Sequence, residues 1–144
     1  MSFLQVAPSI LLVDDNEHNC RLYKEMLMHD GYLVSTASDG ADALHFYTMV
    51  HPDIDLVILD VDMPRVNGAD CLRGMRELNP DVGCLAITAH IDHPCLTDMI
   101  SQGISGILRK PFGSVELCKW AQRLAPKQIP LRSDSNYYPT DMRR

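Results

Sequence analysis

Three aspartates, a threonine and a lysine stand out because each follows a short apolar run of the chain. Asp14 and Asp15 follow the first run, Asp60 the third, Thr88 the fourth and Lys110 the fifth. Three carboxylates gathered in one place would repel one another, and their pKa values would rise unless a cation were present. Mg2+ suits such a set, because it combines a few protein carboxylates with water and phosphate oxygens. The pattern therefore predicts a Mg2+ site.

The same five residues could also handle a phosphoryl group. Positioning and charge neutralisation supply most of the catalysis in phosphoryl transfer, and a lysine and a hydroxyl beside a cation provide both. A carboxylate is a competent nucleophile for phosphorus and gives an aspartyl phosphate. Asp60 is the best candidate for that nucleophile, because it ends the strongest apolar run of the chain.

Five apolar runs alternate with amphipathic stretches and predict the elements that hold these residues. Continuous apolar runs of this length are typical of strands that are buried on both faces. Gly31 and Gly103 are placed to end helices, Pro94 suits a first helical turn, and Ser114 can cap the last helix. We predict inward-facing residues Leu96, Met99 and Ile100 in the helix that Pro94 begins. The predicted strands cover residues 9–13, 32–36, 55–59, 83–87 and 106–109.

Five strand–helix units imply a three-layer α/β fold, in which a parallel sheet carries helices on both faces. The carboxyl ends of parallel strands lie at one edge, where open α/β sheets bind ligands. The five polar residues should therefore converge in one crevice. Each alone has a structural explanation as a turn residue or a helix cap, but their joint occurrence at strand ends favours a functional site.

Composition limits the classes of partner. With 46% hydrophobic and 22% charged residues, the 144-residue chain suits one globular domain. A formal charge of -6 argues against direct binding of nucleic acid, which requires a basic face. Its apolar runs are too short to span a membrane, and the first residues lack a signal-peptide pattern, so we expect a cytoplasmic protein.

The cysteines are scattered and form no Cys-x-x-Cys pair. We interpret all five as reduced thiols that serve as small apolar residues. His90, His93 and Cys95 form a short cluster of potential zinc ligands. A structural zinc site normally needs four ligands, and no fourth is evident nearby, so we expect no zinc there.

The polar motifs at the predicted strand ends resemble those of the response-regulator receiver family of two-component signalling. The resemblance covers residues 9–125, and its motifs occur in the family's order: Asp14-Asp15, Leu59-Asp60-Val61-Asp62-Met63-Pro64, Thr88-Ala89 and Lys110-Pro111-Phe112. It implies a (βα)5 fold with the flavodoxin-like strand order 2-1-3-4-5. Residues 1–8 would then be an N-terminal extension. Residues 126–144 are rich in Pro, Ser, Asp and Arg and have no apolar period, so we predict a mobile tail there.

The resemblance assigns roles around the metal. Asp15 and Asp60 would coordinate Mg2+ directly, together with the backbone carbonyl of Asp62, and Asp14 would act mainly through water. Asp60 would be the modified residue, as 4-aspartylphosphate. The side chain of Asp62, and that of His90 two residues after the threonine, would line the path of attacking water.

The resemblance also assigns roles around the phosphoryl group. Thr88 would donate its hydroxyl to it, and Lys110 would pair with it. A cis bond between Lys110 and Pro111 would aim the lysine inward, and Asn67-Gly68 would supply a tight turn before the third helix. The family is a signalling one, so the chain would catalyse only its own phosphorylation and dephosphorylation.

Partners follow from the same resemblance. A sensor histidine kinase or a histidine phosphotransfer protein would supply the phosphoryl group. The face formed by the fourth helix, fifth strand and fifth helix would bind a downstream protein or a second copy. Relatives often have an aromatic switch residue where this chain has Ile107, so we expect coupling to run mainly through the loop from Ala89 to Pro94.

Three other functions are compatible with parts of this pattern. A phosphatase resembling the haloacid dehalogenase family would share the Asp60-Val-Asp62 fragment, but there the nucleophile strand comes first and the acidic pair last. A pseudo-receiver would lack one of the acidic or lysine positions, and none is missing here. A transcription factor would need a basic output domain after residue 125, which residues 126–144 do not supply unless the chain is a fragment of a longer protein.

Overall fold

A computed structural model describes residues 7–127 of the chain. Strands and α-helices alternate along the described residues, and one turn of 3-10 helix at His51–Asp53 lies between the second helix and the third strand. The predicted extension and tail lie largely outside the described residues. The elements are β1 (Ser9–Val13), α1 (Glu17–His29), β2 (Leu33–Ala37), α2 (Gly40–Val50), β3 (Leu56–Asp60), α3 (Gly68–Leu78), β4 (Cys84–Thr88), α4 (Pro94–Ser101), β5 (Gly106–Arg109) and α5 (Ser114–Leu124).

The five strands form one parallel sheet in the order β2-β1-β3-β4-β5. Alternate residues of β1 and β3 enter two separate hydrophobic clusters, one on each face of the sheet. Residues of α2, α3 and α4 complete one cluster, and residues of α1 and α5 complete the other. The predicted three-layer architecture and strand order are confirmed.

The three middle strands of the chain are shifted by one residue relative to the apolar runs. Each begins and ends one residue later than predicted, so Asp60 and Thr88 are the last residues of β3 and β4. The reason is backbone pairing: Asp60 lies opposite Ile87 in the sheet, and the N–H of Val61 donates to the Ile87 carbonyl at 3.0 Å. The apolar pattern of the sequence contains no information about such backbone pairing, so it could not predict these strand ends.

Two local predictions are wrong. Gly113, not Ser114, is the N-cap of α5, and its N–H donates to the Glu116 carboxylate at 3.0 Å. Ile100 is 52% exposed although Leu96 and Met99 of the same helix are buried. The buried residues of α4 are Cys95, Leu96 and Met99, so only a narrow stripe of this helix meets the core. Gly31 and Gly103 do end helices, with φ of 99° and 84°.

Candidate functional site

Asp60 lies at the centre of the carboxyl edge of the sheet. It ends β3, the strand between β1 and β4, and every residue of that strand is buried. Only 5% of Asp60 is exposed. A carboxylate in such a position loses most of its hydration, so it needs polar or charged neighbours.

Those neighbours include the acidic pair after β1. Carboxylate oxygens of Asp14, Asp15 and Asp60 lie within 4.8 Å of one another. Asp14 is fully buried, whereas Asp15 is exposed to solvent. The backbone N–H of Asn16 donates to Asp14 Oδ1 at 2.9 Å, which fixes the orientation of that carboxylate. The described residues contain one such cluster of potential metal ligands, and it can hold a divalent cation.

Lys110 supplies the nearest positive charge. Its Nζ donates to Asp14 Oδ2 at 2.9 Å and lies 3.5 Å from Asp60 Oδ2. Burial lowers the pKa of Lys110, but the hydrogen bond to Asp14 and the charges of both aspartates outweigh it and raise that pKa. The Lys110–Pro111 peptide bond is cis, as the resemblance implied. Lys110 therefore remains charged between two buried carboxylates.

One lysine does not compensate three carboxylates. Burial and the charge of Asp14 raise the pKa of Asp60 to about 7, although Lys110 and a backbone hydrogen bond from Asp62 oppose the shift. Without a further cation, an appreciable fraction of Asp60 would be protonated at neutral pH. The donor set thus favours a divalent cation on electrostatic grounds.

Thr88 ends the neighbouring strand β4 and is almost fully buried. Its hydroxyl donates to the carbonyl of His90 at 3.0 Å, and the N–H of His90 donates back to that hydroxyl at 2.9 Å. Lys110 is tied to the same strand, because its N–H donates to the Thr88 carbonyl at 2.7 Å. The threonine hydroxyl is therefore engaged by its own loop.

The loop between β3 and α3 closes one side of the site. The N–H of Gly68 donates to the Val61 carbonyl at 3.1 Å, and a Cβ at Gly68 would lie 2.7 Å from the Asp60 carbonyl oxygen. Only glycine tolerates this approach. Where a tight turn was predicted at Asn67-Gly68, Asn67 is the N-cap of α3 and its side chain accepts the N–H of Asp70, while Gly68 is the first residue of the helix.

Asp62 differs from the other acidic residues. Its side chain is 68% exposed, and His93 Nε2 is 3.6 Å from Asp62 Oδ1. The sequence singled out Asp62 for its backbone carbonyl and for a side chain beside the path of attacking water, but it did not predict the contact with His93. No local signal could have identified it, because the two residues belong to different loops.

Two further residues support Asp14 and were also missed. Asn16 binds the Asp14 carboxylate while its own side chain caps α1. The Cys20 thiol donates to the Asp14 carbonyl at 3.1 Å. A signal existed for Asn16, since asparagine two residues after a strand-end aspartate and just before a helix is typical of a cap.

No helix in the part of the chain that the structure describes is long and apolar enough to cross a bilayer.

Comparison with known proteins places these features in a family. The family model described as the response regulator receiver domain matches residues 10–122. Among curated proteins, the chain is 32% identical over 108 residues to the transcription factor SKN7 of Candida albicans, covering 75% of this chain and 19% of that protein. It is 29% identical over 108 residues to the response regulator SaeR of Staphylococcus aureus, covering 75% and 46%. The chain thus spans less than half the length of either relative.

Solved structures agree. The chemotaxis protein CheY4 of Vibrio cholerae superimposes with a TM-score of 0.76 at 28% identity, covering 83% of this chain and 99% of that one. CheY of Borrelia burgdorferi, solved as a CheX-CheY-BeF3-Mg+2 complex, gives a TM-score of 0.75 at 25% identity, covering 81% and 87%. Family match, strand order and the acidic edge lead to one conclusion: the chain belongs to the receiver domains of response regulators in two-component signalling.

Proposed function

We propose that Asp60 accepts a phosphoryl group from a sensor histidine kinase or a histidine phosphotransfer protein, in a reaction that depends on Mg2+. The observation that carries the proposal is the geometry of Asp60: a buried carboxylate at the end of the central strand, with Lys110 at 3.5 Å and two further carboxylates beside it.

The donor set fits Mg2+. Asp15 and Asp60 would bind the ion directly, the backbone carbonyl of Asp62 would add a third oxygen, and Asp14 would act through water. When bound, Mg2+ neutralises charge on the oxygens of a phosphoryl group. The exposure of Asp15 leaves one side of the cluster open to water and to an incoming phosphate.

The chain's own residues carry the transfer. An oxygen of Asp60 forms a bond to phosphorus as the bond from phosphorus to the donor's nitrogen breaks, and the electron pair leaves with the imidazole. Lys110 would then pair with the phosphoryl group. For Thr88 to donate to that group, its hydroxyl must give up the carbonyl of His90. Water later releases inorganic phosphate and restores Asp60.

Relatives support the chemistry and the kind of partner. CheY of Borrelia burgdorferi is solved in a complex with BeF3, Mg2+ and a second protein, CheX. In this chain, Ile91 in the loop before α4 and Ile100 in α4 itself are both exposed. We propose that the face formed by α4, β5 and α5 binds a downstream protein or a second copy, rather than nucleic acid.

The test is phosphorylation with a small donor. Acetyl phosphate and Mg2+ should add one phosphoryl group to the protein, as measured by intact mass. Asp60→Asn should reduce labelling to background, whereas Asp53→Asn, an exposed acid in the 3-10 turn, should label normally. Full labelling of Asp60→Asn would contradict the assignment, and so would a wild-type protein that takes no label.

A further inference from the structure

The loop between β4 and α4 carries two histidines and a cysteine at residues 90–95, which the proposed transfer does not use. In the structure, two of these residues reach the segment that directly follows Asp60. His93 approaches the side chain of Asp62, and the Cys95 thiol contacts the backbone of Val61. The start of α4 therefore contacts Val61 and Asp62, the two residues that follow Asp60.

His93 uses its two ring nitrogens for different contacts. It is the N-cap of α4, and Nδ1 accepts the N–H of Cys95 at 3.0 Å. Because Nδ1 is an acceptor, the proton of the neutral ring is on Nε2. Nε2 lies 3.6 Å from Asp62 Oδ1, which is an electrostatic contact longer than a direct hydrogen bond. The cap thus leaves the Nε2–H free to act on the Asp62 carboxylate at this distance.

Cys95 fixes the distance across which His93 acts. Its buried thiol donates to the Val61 carbonyl at 3.4 Å and accepts the N–H of Ala69 at 3.2 Å. These two contacts hold the first turn of α4 against the β3–α3 segment. The His93 ring is 27% exposed and the Asp62 carboxylate 68% exposed, so the contact lies at the solvent side of this junction.

We propose that His93 is a positioning residue that holds the Asp62 carboxylate toward α4 and away from the acceptor. The inference rests on the proposed function of Asp60. An exposed carboxylate two residues from a phosphorylated aspartate can orient an attacking water as a general base. Held by His93, it is turned away from that path. The contact then lengthens the lifetime of the phosphoryl group and makes that lifetime depend on the position of α4.

The kinetic test separates positioning from helix capping. Asparagine is a good N-cap but is too short to reach Asp62, so His93→Asn keeps the cap and removes the contact. We expect His93→Asn to lose the phosphoryl group about threefold faster or more, measured by intact mass after removal of the donor at constant Mg2+ and pH. In an Asp62→Ala background, the same change should have no effect. Asp92→Asn, an exposed neighbour in the same loop, is the matched control.

A rate for His93→Asn that is unchanged or slower overturns the proposal, as does an equal effect in the Asp62→Ala background. A second readout needs neither phosphate nor metal. In NMR spectra of the metal-free protein, neutral His93 should be the Nε2–H tautomer, and His93→Asn should shift the side-chain carboxyl resonance of Asp62. An Nδ1–H tautomer or an unshifted carboxyl overturns it. Failure of wild-type labelling would instead contradict the proposed function.

Discussion

At the scale of residues, the site has more negative charge than its surroundings compensate. Asp14 and Asp60 are buried, and Lys110 contacts both of them. Asp15 adds a third carboxylate within 4.8 Å. Such an arrangement costs stability in the absence of a cation, because burial and like charges both disfavour ionised carboxylates. Substitutions at Asp60 and at Asp15 test this imbalance in different ways.

Replacing Asp60 should make stability depend differently on pH. Its pKa in the folded protein is raised from 3.8 to about 7, so the folded protein binds this proton more tightly than the unfolded chain does. The resulting stabilisation is complete below pH 3.8 and is lost as pH rises through about 7. Asp60→Asn should therefore raise the free energy of unfolding at pH 8 by about 2–4 kcal/mol, and by much less at pH 4. Urea unfolding in EDTA measures both values. An equal gain at the two pH values would contradict ionisation of Asp60 as the cause.

Replacing Asp15 should affect the metal. Asp15→Asn removes a proposed direct ligand, so it should weaken Mg2+ binding about tenfold or more, which corresponds to about 1.4 kcal/mol. The metal-free variant should be no less stable than the wild type, because a like charge has been removed. Calorimetric titration measures the affinity, and Glu77→Gln, an exposed acid on α3, is the control. Unchanged affinity would exclude Asp15 as a ligand.

At the scale of elements, the β3–α3 loop is seated on the start of α2. Arg65 in that loop has a φ of 65° and pairs with Asp39, the N-cap of α2. A Cβ at Gly40, the first residue of α2, would overlap the Val66 carbonyl oxygen. The loop that shapes one side of the site therefore depends on a glycine in a different element.

Gly40→Ala should separate this loop from α2. Backbone oxygen cannot give way as a flexible side chain can, so we expect a loss of about 1–3 kcal/mol in the free energy of unfolding. Gly83→Ala is the matched control, because its nearest contact would be an ordinary 3.7 Å. Denaturant unfolding of both variants measures the difference. Equal stability of the two variants would show that the loop adapts freely.

At the scale of the whole molecule, α5 and the residues after it close the second hydrophobic cluster. Leu117, Ala121 and Ala125 are buried in it, and the Tyr32 hydroxyl donates to the Ala125 carbonyl at 3.0 Å. Lys127 then approaches Asp30, with 3.4 Å between Nζ and Oδ1. The domain boundary at residue 125 stays a prediction, and these contacts lie on both sides of it.

Truncation tests that boundary. A chain that ends at Lys127 should unfold with the same midpoint as the full chain and accept phosphate at the same rate. A chain that ends at Gln122 loses Ala125 and the partner of the Tyr32 hydroxyl, so its free energy of unfolding should fall by about 2 kcal/mol or more. Thermal unfolding gives the midpoint and urea unfolding gives the free energy of unfolding for each of the two chains. If the chain that ends at Lys127 were less stable than the full chain, the domain would extend beyond Lys127.

The sequence by itself determined the sheet and the edge on which the site lies. Apolar runs of strand length that alternate with amphipathic stretches indicate a parallel sheet between two layers of helices, and parallel strands bring their carboxyl ends to one edge. Asp14, Asp60 and Lys110 converge for that reason alone. The order of the five strands, which the family resemblance implied, is the observed one.

The tertiary structure decided what each residue does at that edge. It buried Asp14 but left Asp15 exposed, and it placed Lys110 nearer to Asp14 than to Asp60. It also brought His93 to Asp62. These outcomes depend on distances between side chains from different loops and strands, which neither periodicity nor spacing records. Strand ends fix where a residue is along the edge, but only packing fixes which neighbour its side chain meets.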